Sequence, residues 1–172
     1  MPEEPLRAPL GIVLYEPDIP QNTGTILRTA ACLGVTVELV EPAGFALTDK
    51  GLRRAGLDYL PAALWTRHAS FAAFEAWRAG TGRRLVLLTT RGDLAYTAFA
   101  YRPGDLLMVG RESAGVPDAV HARADARVAV PMRPGMRSLN VAVAAAMVLG
   151  EALRQLGPVC PPPGATSTDN AA

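Results

Sequence analysis

Residues Glu16 to Gly34 read EPDIPQNTGTILRTAACLG, and this stretch decides how the chain is built. It follows an apolar run, Leu10–Tyr15, with the length and composition of a buried strand. Pro17, Pro20 and Gly24 then carry the chain through a polar turn into a helical pattern over Thr23–Leu33. Asn22, Gly24 and Arg28 fall at the spacing N-x-G-x-x-x-R. A strand, a polar turn and a helix carrying one fixed cation is how an α/β protein builds a site for an anionic substrate.

Working outward, strand-like runs recur at Val35–Val40, Leu85–Leu88, Leu106–Val109 and Arg127–Val130, with a further one near Tyr59–Trp65. Helical patterns separate them at Ser70–Ala79, Pro117–Ala124 and Ser138–Leu156, and a shorter helix is expected near Thr48–Ala55. Ser70 reads as a helix start and Gly80 as a stop. This alternation predicts an α/β fold, a mainly parallel sheet with helices on both faces. No internal repeat is visible. The folded domain is expected over about residues 9–157, followed by a disordered Pro-rich tail over 158–172.

The bulk numbers fit a single globular domain. The chain has 172 residues, 49% of them apolar and 19% charged. Cys32 and Cys160 make no disulfide framework, which fits a reduced cytoplasmic compartment. The acidic, Pro-rich start MPEEPLRAP has no apolar segment of the signal-peptide kind. The longest apolar run, Val141–Leu149, has nine residues and is too short to span a membrane. Net charge is +1, so the chain as a whole carries no nucleic-acid signature. Its cations are sixteen arginines and a single lysine, and Arg53-Arg54, Arg83-Arg84, Arg133 and Arg137 are either solvated surface or local phosphate contacts.

The last helix is apolar on every face from Val141 to Leu149 and thin, with alanine at 142, 144, 145 and 146. A helix apolar all round must be covered all round, either inside one subunit or by a second one.

Ligands in an open α/β sheet bind beyond the carboxyl ends of the strands. Five such ends here lead into distinctive loops. Tyr15 leads to the Asn22 turn, Val40 to Glu41–Phe45, and Leu88 to Thr89-Thr90-Arg91-Gly92. Val109 leads to Gly110-Arg111-Glu112-Ser113-Ala114-Gly115-Val116-Pro117, and Val130 to the loop from Pro131 to Asn140. Each alone reads as turn chemistry; together they favour a site. Common motifs do not fit them. No G-x-G-x-x-G occurs, and Val116-Pro117 stands where a phosphate loop needs Lys-Ser/Thr. Ser113 lacks the glycine at 111 that a nucleophile elbow requires. His68 and His121 lie in polar helix-edge contexts and neither is an obvious triad base; with two scattered cysteines, no metal site is expected.

The loops resemble the three motifs of the SPOUT superfamily of methyltransferases, closest to its small single-domain TrmL group. Motif one is Asn22-Thr23-Gly24-Thr25-Ile26-Leu27-Arg28, motif two runs Val109–Pro117, and motif three is Val130-Pro131-Met132 followed by Arg137-Ser138-Leu139-Asn140. LYEPDIPQNTGTILR and FALTDKGLRRAGLDY are similar to signatures of that group, and the likeness covers residues 10–156. It implies methyl transfer from S-adenosylmethionine to a ribose 2′-hydroxyl, that of the wobble nucleotide (cytidine or modified uridine) of leucine tRNAs. It also implies a homodimer and a deep trefoil knot near the C-terminus, with tRNA as the partner and neither DNA nor membrane involved.

By the same correspondence Leu88, Thr89, Gly110, Glu112, Gly115, Val130, Met132, Ser138 and Leu139 would hold the cofactor. Arg28, Asn22, Glu112, Ser138 and Asn140 would carry the chemistry, and Arg28, Arg133 and Arg137 would contact substrate phosphates. Ser138 would cap the last helix, touch substrate, or both. Glu112 would anchor Arg28 or another loop, or form a structural ion pair. Arg28 is unsuited to act as a free base: deprotonating it at neutral pH would cost roughly 8 kcal/mol. A cationic role, holding phosphate and stabilising charge on the 2′-oxygen, suits it better. Arg111 and Ala114 depart from the superfamily's usual motif two, as if a basic charge had moved. Two other readings stand beside this one: a 2′-O-methyltransferase for another tRNA or ribosomal RNA position, and a non-catalytic RNA-binding module. A hydrolase built on Ser113 lacks both elbow and base.

Overall fold

The computed structural model describes residues 10–48 and 65–157. In chain order these form β1 (Gly11–Tyr15), α1 (Pro20–Leu33), β2 (Thr36–Val40), β3 (Trp65–His68), α2 (Phe71–Thr81), β4 (Leu85–Leu88), β5 (Leu94–Ala95), β6 (Leu106–Val109), α3 (Asp118–Arg123), β7 (Ala126–Ala129) and α4 (Val141–Leu156). The strands make one sheet in the order β3-β2-β1-β6-β4-β7-β5, and every pairing is parallel. A parallel sheet must be covered on both faces, and this one is. Ile12, Leu14, Val37, Leu39, Leu107 and Val109 point to one side, against Ile26, Leu27 and Ala30 of α1 and Ala145, Val148 and Leu149 of α4. Val13, Tyr15, Val40, Leu85, Leu87 and Met108 point to the other, against Phe74 of α2 and Val120 of α3.

The sequence reading differs from the structure at several ends. α1 begins at Pro20 rather than Thr23, because a proline in the first turn has no N–H to leave unsatisfied. Ser70 caps α2 by accepting from the Ala73 N–H at 3.1 Å. The helix runs through Gly80, however, and is closed by Gly82 at φ 66°. Ser138 is not the cap of α4. Asn140 is, its Oδ1 accepting from the N–H groups of Ala142 and Val143. β7 spans Ala126–Ala129, one residue earlier than the Arg127–Val130 run, and β5 is too short to leave a pattern. The strand near Tyr59–Trp65 appears as β3 from Trp65 onward; residues 59–64, the Thr48–Ala55 helix beyond residue 48 and the tail from residue 158 lie outside the described residues.

His68 is not in a polar helix-edge context. It ends β3 with 7% exposure, its Nε2 2.6 Å from Glu38 Oε2, packed against Phe74 and Trp77. Nor is α4 covered all round: Ala145, Val148 and Leu149 are buried, but Val143 is 51% exposed and Met147 37%. No helix among the described residues is long and apolar enough to cross a membrane.

Candidate active site

The carboxyl ends of β4, β6 and β7, with the start of α1 and the loop before α4, enclose a cavity of about 490 Å³. That lies within the ~300–1,000 Å³ typical of small-molecule sites. Its apolar wall is Leu87, Leu88, Val109, Val128, Val130, Met132 and Leu139. Its polar side carries Asn22, Thr89, Glu112, Ser113, Ser138 and Asn140.

The loop after β6 doubles back on itself. Arg111 and Gly115 exchange backbone hydrogen bonds of 3.0 and 2.8 Å, with Gly115 at φ 63°. The turn is so tight that a Cβ on Gly110 would lie 2.6 Å from the carbonyl carbon of Gly115. Only glycine fits at 110, and its bare backbone forms part of the cavity wall.

Hydrogen bonds tie the three loops together. The Asp18 N–H donates to Glu112 Oε2 and the Glu112 N–H donates to Asp18 Oδ1, both at 3.0 Å. The Ser113 hydroxyl donates to Asp18 Oδ2. The Asn22 side chain shares the cavity wall with Glu112. Asn140 Nδ2 donates to Asn22 Oδ1 at 3.0 Å. The hydrogen bond to Glu112, aided by that from Ser113, holds the Asp18 carboxyl down at about 2. Burial, and then the facing Asp18 carboxyl, push Glu112 up.

Arg111 turns inward. Its Nη1 lies 3.4 Å from Glu16 Oε2, and its Nε is buried. Glu16 itself sits at φ 41°, a left-handed conformation uncommon for a non-glycine residue, at the turn out of β1.

All nine residues expected at the cofactor, from Leu88 and Thr89 to Ser138 and Leu139, lie on the cavity wall. Asn22, Asn140 and Arg137 lie there as well. Arg28 does not: it is exposed on the outer face of α1, with Gln21, Thr25 and Cys32. Arg133 is exposed outside the cavity wall. The loop after β2 is also absent from the wall; it packs behind the first turn, where the Gly44 N–H donates to the Pro17 carbonyl at 2.9 Å. Ile19 lines the cavity and Asp18 bonds to its wall at Glu112, though in the sequence they show only as a lone apolar residue and a turn acid.

Residues 9–150 match the SpoU rRNA Methylase family. The chain belongs to that family. It is 65% identical over 146 residues to a protein of Beijerinckia indica named tRNA (cytidine(34)-2'-O)-methyltransferase, spanning 85% of this chain and 91% of the relative. A solved structure described as giving structural insights into the 2-OH methylation of C/U34 on tRNA superposes with a TM-score of 0.80 at 43% identity, over 87% of this chain and 97% of the other. The SpoU methyltransferase AviRb from Streptomyces viridochromogenes, solved with the cofactor AdoMet, superposes with a TM-score of 0.76 at 30% identity, over 90% of this chain and 62% of the other.

The cavity fits S-adenosylmethionine on its own chemistry. Leu88, Val130 and Met132 offer flat apolar surface for an adenine, and the bare backbone at Gly110 and Gly115 allows a ligand to approach closely. Among the described residues, no three His, Cys, Asp or Glu side chains gather as a metal site.

Proposed function

We propose that this chain transfers a methyl group from S-adenosylmethionine to the ribose 2′-hydroxyl of the wobble nucleotide, position 34, of tRNA, as its relatives are named for doing. The observation that carries the reading is one sheet edge holding both a donor-sized cavity and, tied to it through Asn140, the turn of Asn22. Leucine tRNAs bearing cytidine or a modified uridine are the proposed substrates, and the cytoplasm the proposed location.

The donor, when bound, supplies an electrophilic methyl carbon. Leu88, Thr89, Gly110, Gly115, Val130, Met132, Ser138 and Leu139 are assigned to holding it. Asn22 and Asn140 are assigned to orienting the ribose, since their amides face each other at the cavity wall. Positioning of this kind supplies much of the barrier reduction in a transfer between two bound groups. Arg28, always charged, is assigned to a substrate phosphate; it stands outside the cavity wall, so its expected role at the 2′-oxygen belongs to the RNA-bound state. Arg133 and Arg137 contact further phosphates. The ribose proton passes to a phosphate oxygen or to water, because arginine holds its own proton too tightly to accept another.

The proposal includes a homodimer. Val143 and Met147 expose the outer face of α4, Ile19 and Leu139 are exposed apolar residues at the cavity wall, and Met136 is 67% exposed. Of these, the exposed face of α4 is the surface assigned to the partner subunit. The C-terminal knot belongs to the same proposal. Residues 89–96 wrap the backbone of β7, with Thr89 bonded to Val128 and Tyr96 to Ala129, and Gly92 leaves no room for a Cβ against it.

Incubation with labelled S-adenosylmethionine and unmodified RNA pools tests the reading. Label should enter the leucine tRNA fraction. Label confined to ribosomal RNA would favour the other 2′-O-methyltransferase reading, and no donor binding by calorimetry would favour an RNA-binding module.

A further inference from the structure

Asp18 has no part in the chemistry assigned above and does not line the cavity. It is nevertheless fixed from two sides. Behind it, Gly44 approaches so closely that a Cβ there would lie 2.8 Å from Asp18 Cβ. In front, Asp18 exchanges backbone and side-chain hydrogen bonds with Glu112 and accepts from the Ser113 hydroxyl, across 94 and 95 residues of sequence.

A second bridge stands beside these contacts. Glu112, held by Asp18, shares the cavity wall with Asn22, and Asn22 Oδ1 accepts from Asn140 Nδ2. The first pair of bonds holds the loop after β6 on the turn before α1, and the last holds the first turn of α1 on the loop before α4. Glu112, Asn22 and Asn140 all face the cavity. Two carboxyl groups in one clasp also influence each other's ionisation, since like charges that close resist ionising together.

We propose that Asp18 is a positioning residue for methyl transfer: its carboxylate clasps Glu112 and Ser113 and thereby sets the substrate-side turn of Asn22 against the donor-side loop. The proposal rests on the methyltransferase reading above. Asp18 acts through Glu112 and Asn22 rather than on the ribose itself. A misplacement of about 1 Å in such a site costs on the order of 100-fold in rate, so a clasp outside the cavity can govern turnover.

Asp18→Asn separates this role from simple packing. The substituted side chain still accepts from the Glu112 N–H, and the backbone bond to Glu112 is untouched. The charge facing Glu112 is lost, together with the second carboxylate oxygen. In steady-state methylation of tRNA, kcat should fall about tenfold or more while KM for S-adenosylmethionine stays within about twofold. The acid limb of the pH–rate profile should move to lower pH, because Glu112 no longer faces a carboxylate. Carboxyl ¹³C NMR of Glu112 reads the same change without turnover. Asp18→Glu should recover part of the loss, and Ser113→Ala should give a smaller fall than Asp18→Asn. Wild-type kcat and an unmoved Glu112 titration in Asp18→Asn would overturn the proposal while leaving the enzyme's activity established. A wild-type protein that methylates no RNA would overturn the activity, and this role with it.

Discussion

Asn140 joins the last loop of the chain to the first: its Nδ2 donates to Asn22 Oδ1 at 3.0 Å, while its Oδ1 accepts from the first N–H groups of α4. One side chain both starts the final helix and fixes the site turn. The two jobs use different atoms, so substitution separates them. Asn140→Asp keeps the capping oxygen but loses the amide donor. It should leave thermal stability nearly unchanged and lower methyl transfer about tenfold or more. Asn140→Ala should show the same loss of activity and also cost about 1 kcal/mol, the usual worth of a cap. Thermal unfolding and methyl incorporation, measured side by side, check both.

Gly110→Ala places a methyl 2.6 to 2.9 Å from three backbone atoms of Gly115. Backbone cannot swing aside as a flexible side chain can, so the whole loop must shift. Calorimetry should show S-adenosylmethionine binding weakened by about tenfold or more, against a fold that circular dichroism finds intact. Gly80→Ala is the control: a Cβ there meets nothing within 4 Å, and alanine is a better helix former by about 0.5–1 kcal/mol.

The exposed face of α4 carries the prediction for assembly. Met147→Glu and Val143→Glu each place a charge where apolar side chains now stand half-exposed. A buried unpaired charge at an interface is strongly unfavourable. Sedimentation velocity should show wild type as a dimer and these variants shifted towards monomer. Dimers of unchanged stability in both would place the interface elsewhere.

The clasp predicts a specific acid sensitivity. Asp18 is held at about 2, below its ordinary 3.8. A carboxyl depressed by folding contributes stability that is fully present above its unfolded value and is lost as pH falls through its folded one. The Asp18 contribution should therefore vanish as pH drops from 3.8 to about 2. Glu112 is shifted the other way, first by burial and then by Asp18, so its contribution is present in acid and is lost as pH rises through its folded value. Urea unfolding across this range should give a shallower acid slope for Asp18→Asn than for wild type.

Much of this was legible because the core strands are short, unbroken apolar runs. β4 and β6 fall where the sequence places them, since a strand buried on both faces leaves no other reading. Four of the five loops singled out in the sequence meet at the cavity for the same reason, since a parallel sheet sends its strand ends to one edge; the loop after β2 does not reach it. The choice between Ser138 and Asn140 was not legible, because both residue types make good caps. The decision is tertiary and comes from Asn22, across 118 residues of sequence. Asp18 was hidden in the same way. An acid between two prolines reads as turn chemistry until Glu112 and Ser113 arrive from the far side of the chain. The exposure of Val143 could not be read either, since a valine in an alanine-rich helix looks alike under a core and under a partner.

Mass spectrometric mapping of tRNA methylated in vitro tests the central claim most directly. Purified protein, S-adenosylmethionine and unmethylated leucine tRNA should yield a single added methyl on the ribose of the wobble nucleotide, and Arg28→Ala should abolish it. A methyl found on a base, or on a ribose elsewhere in the tRNA with nucleotide 34 unmodified, would contradict the account.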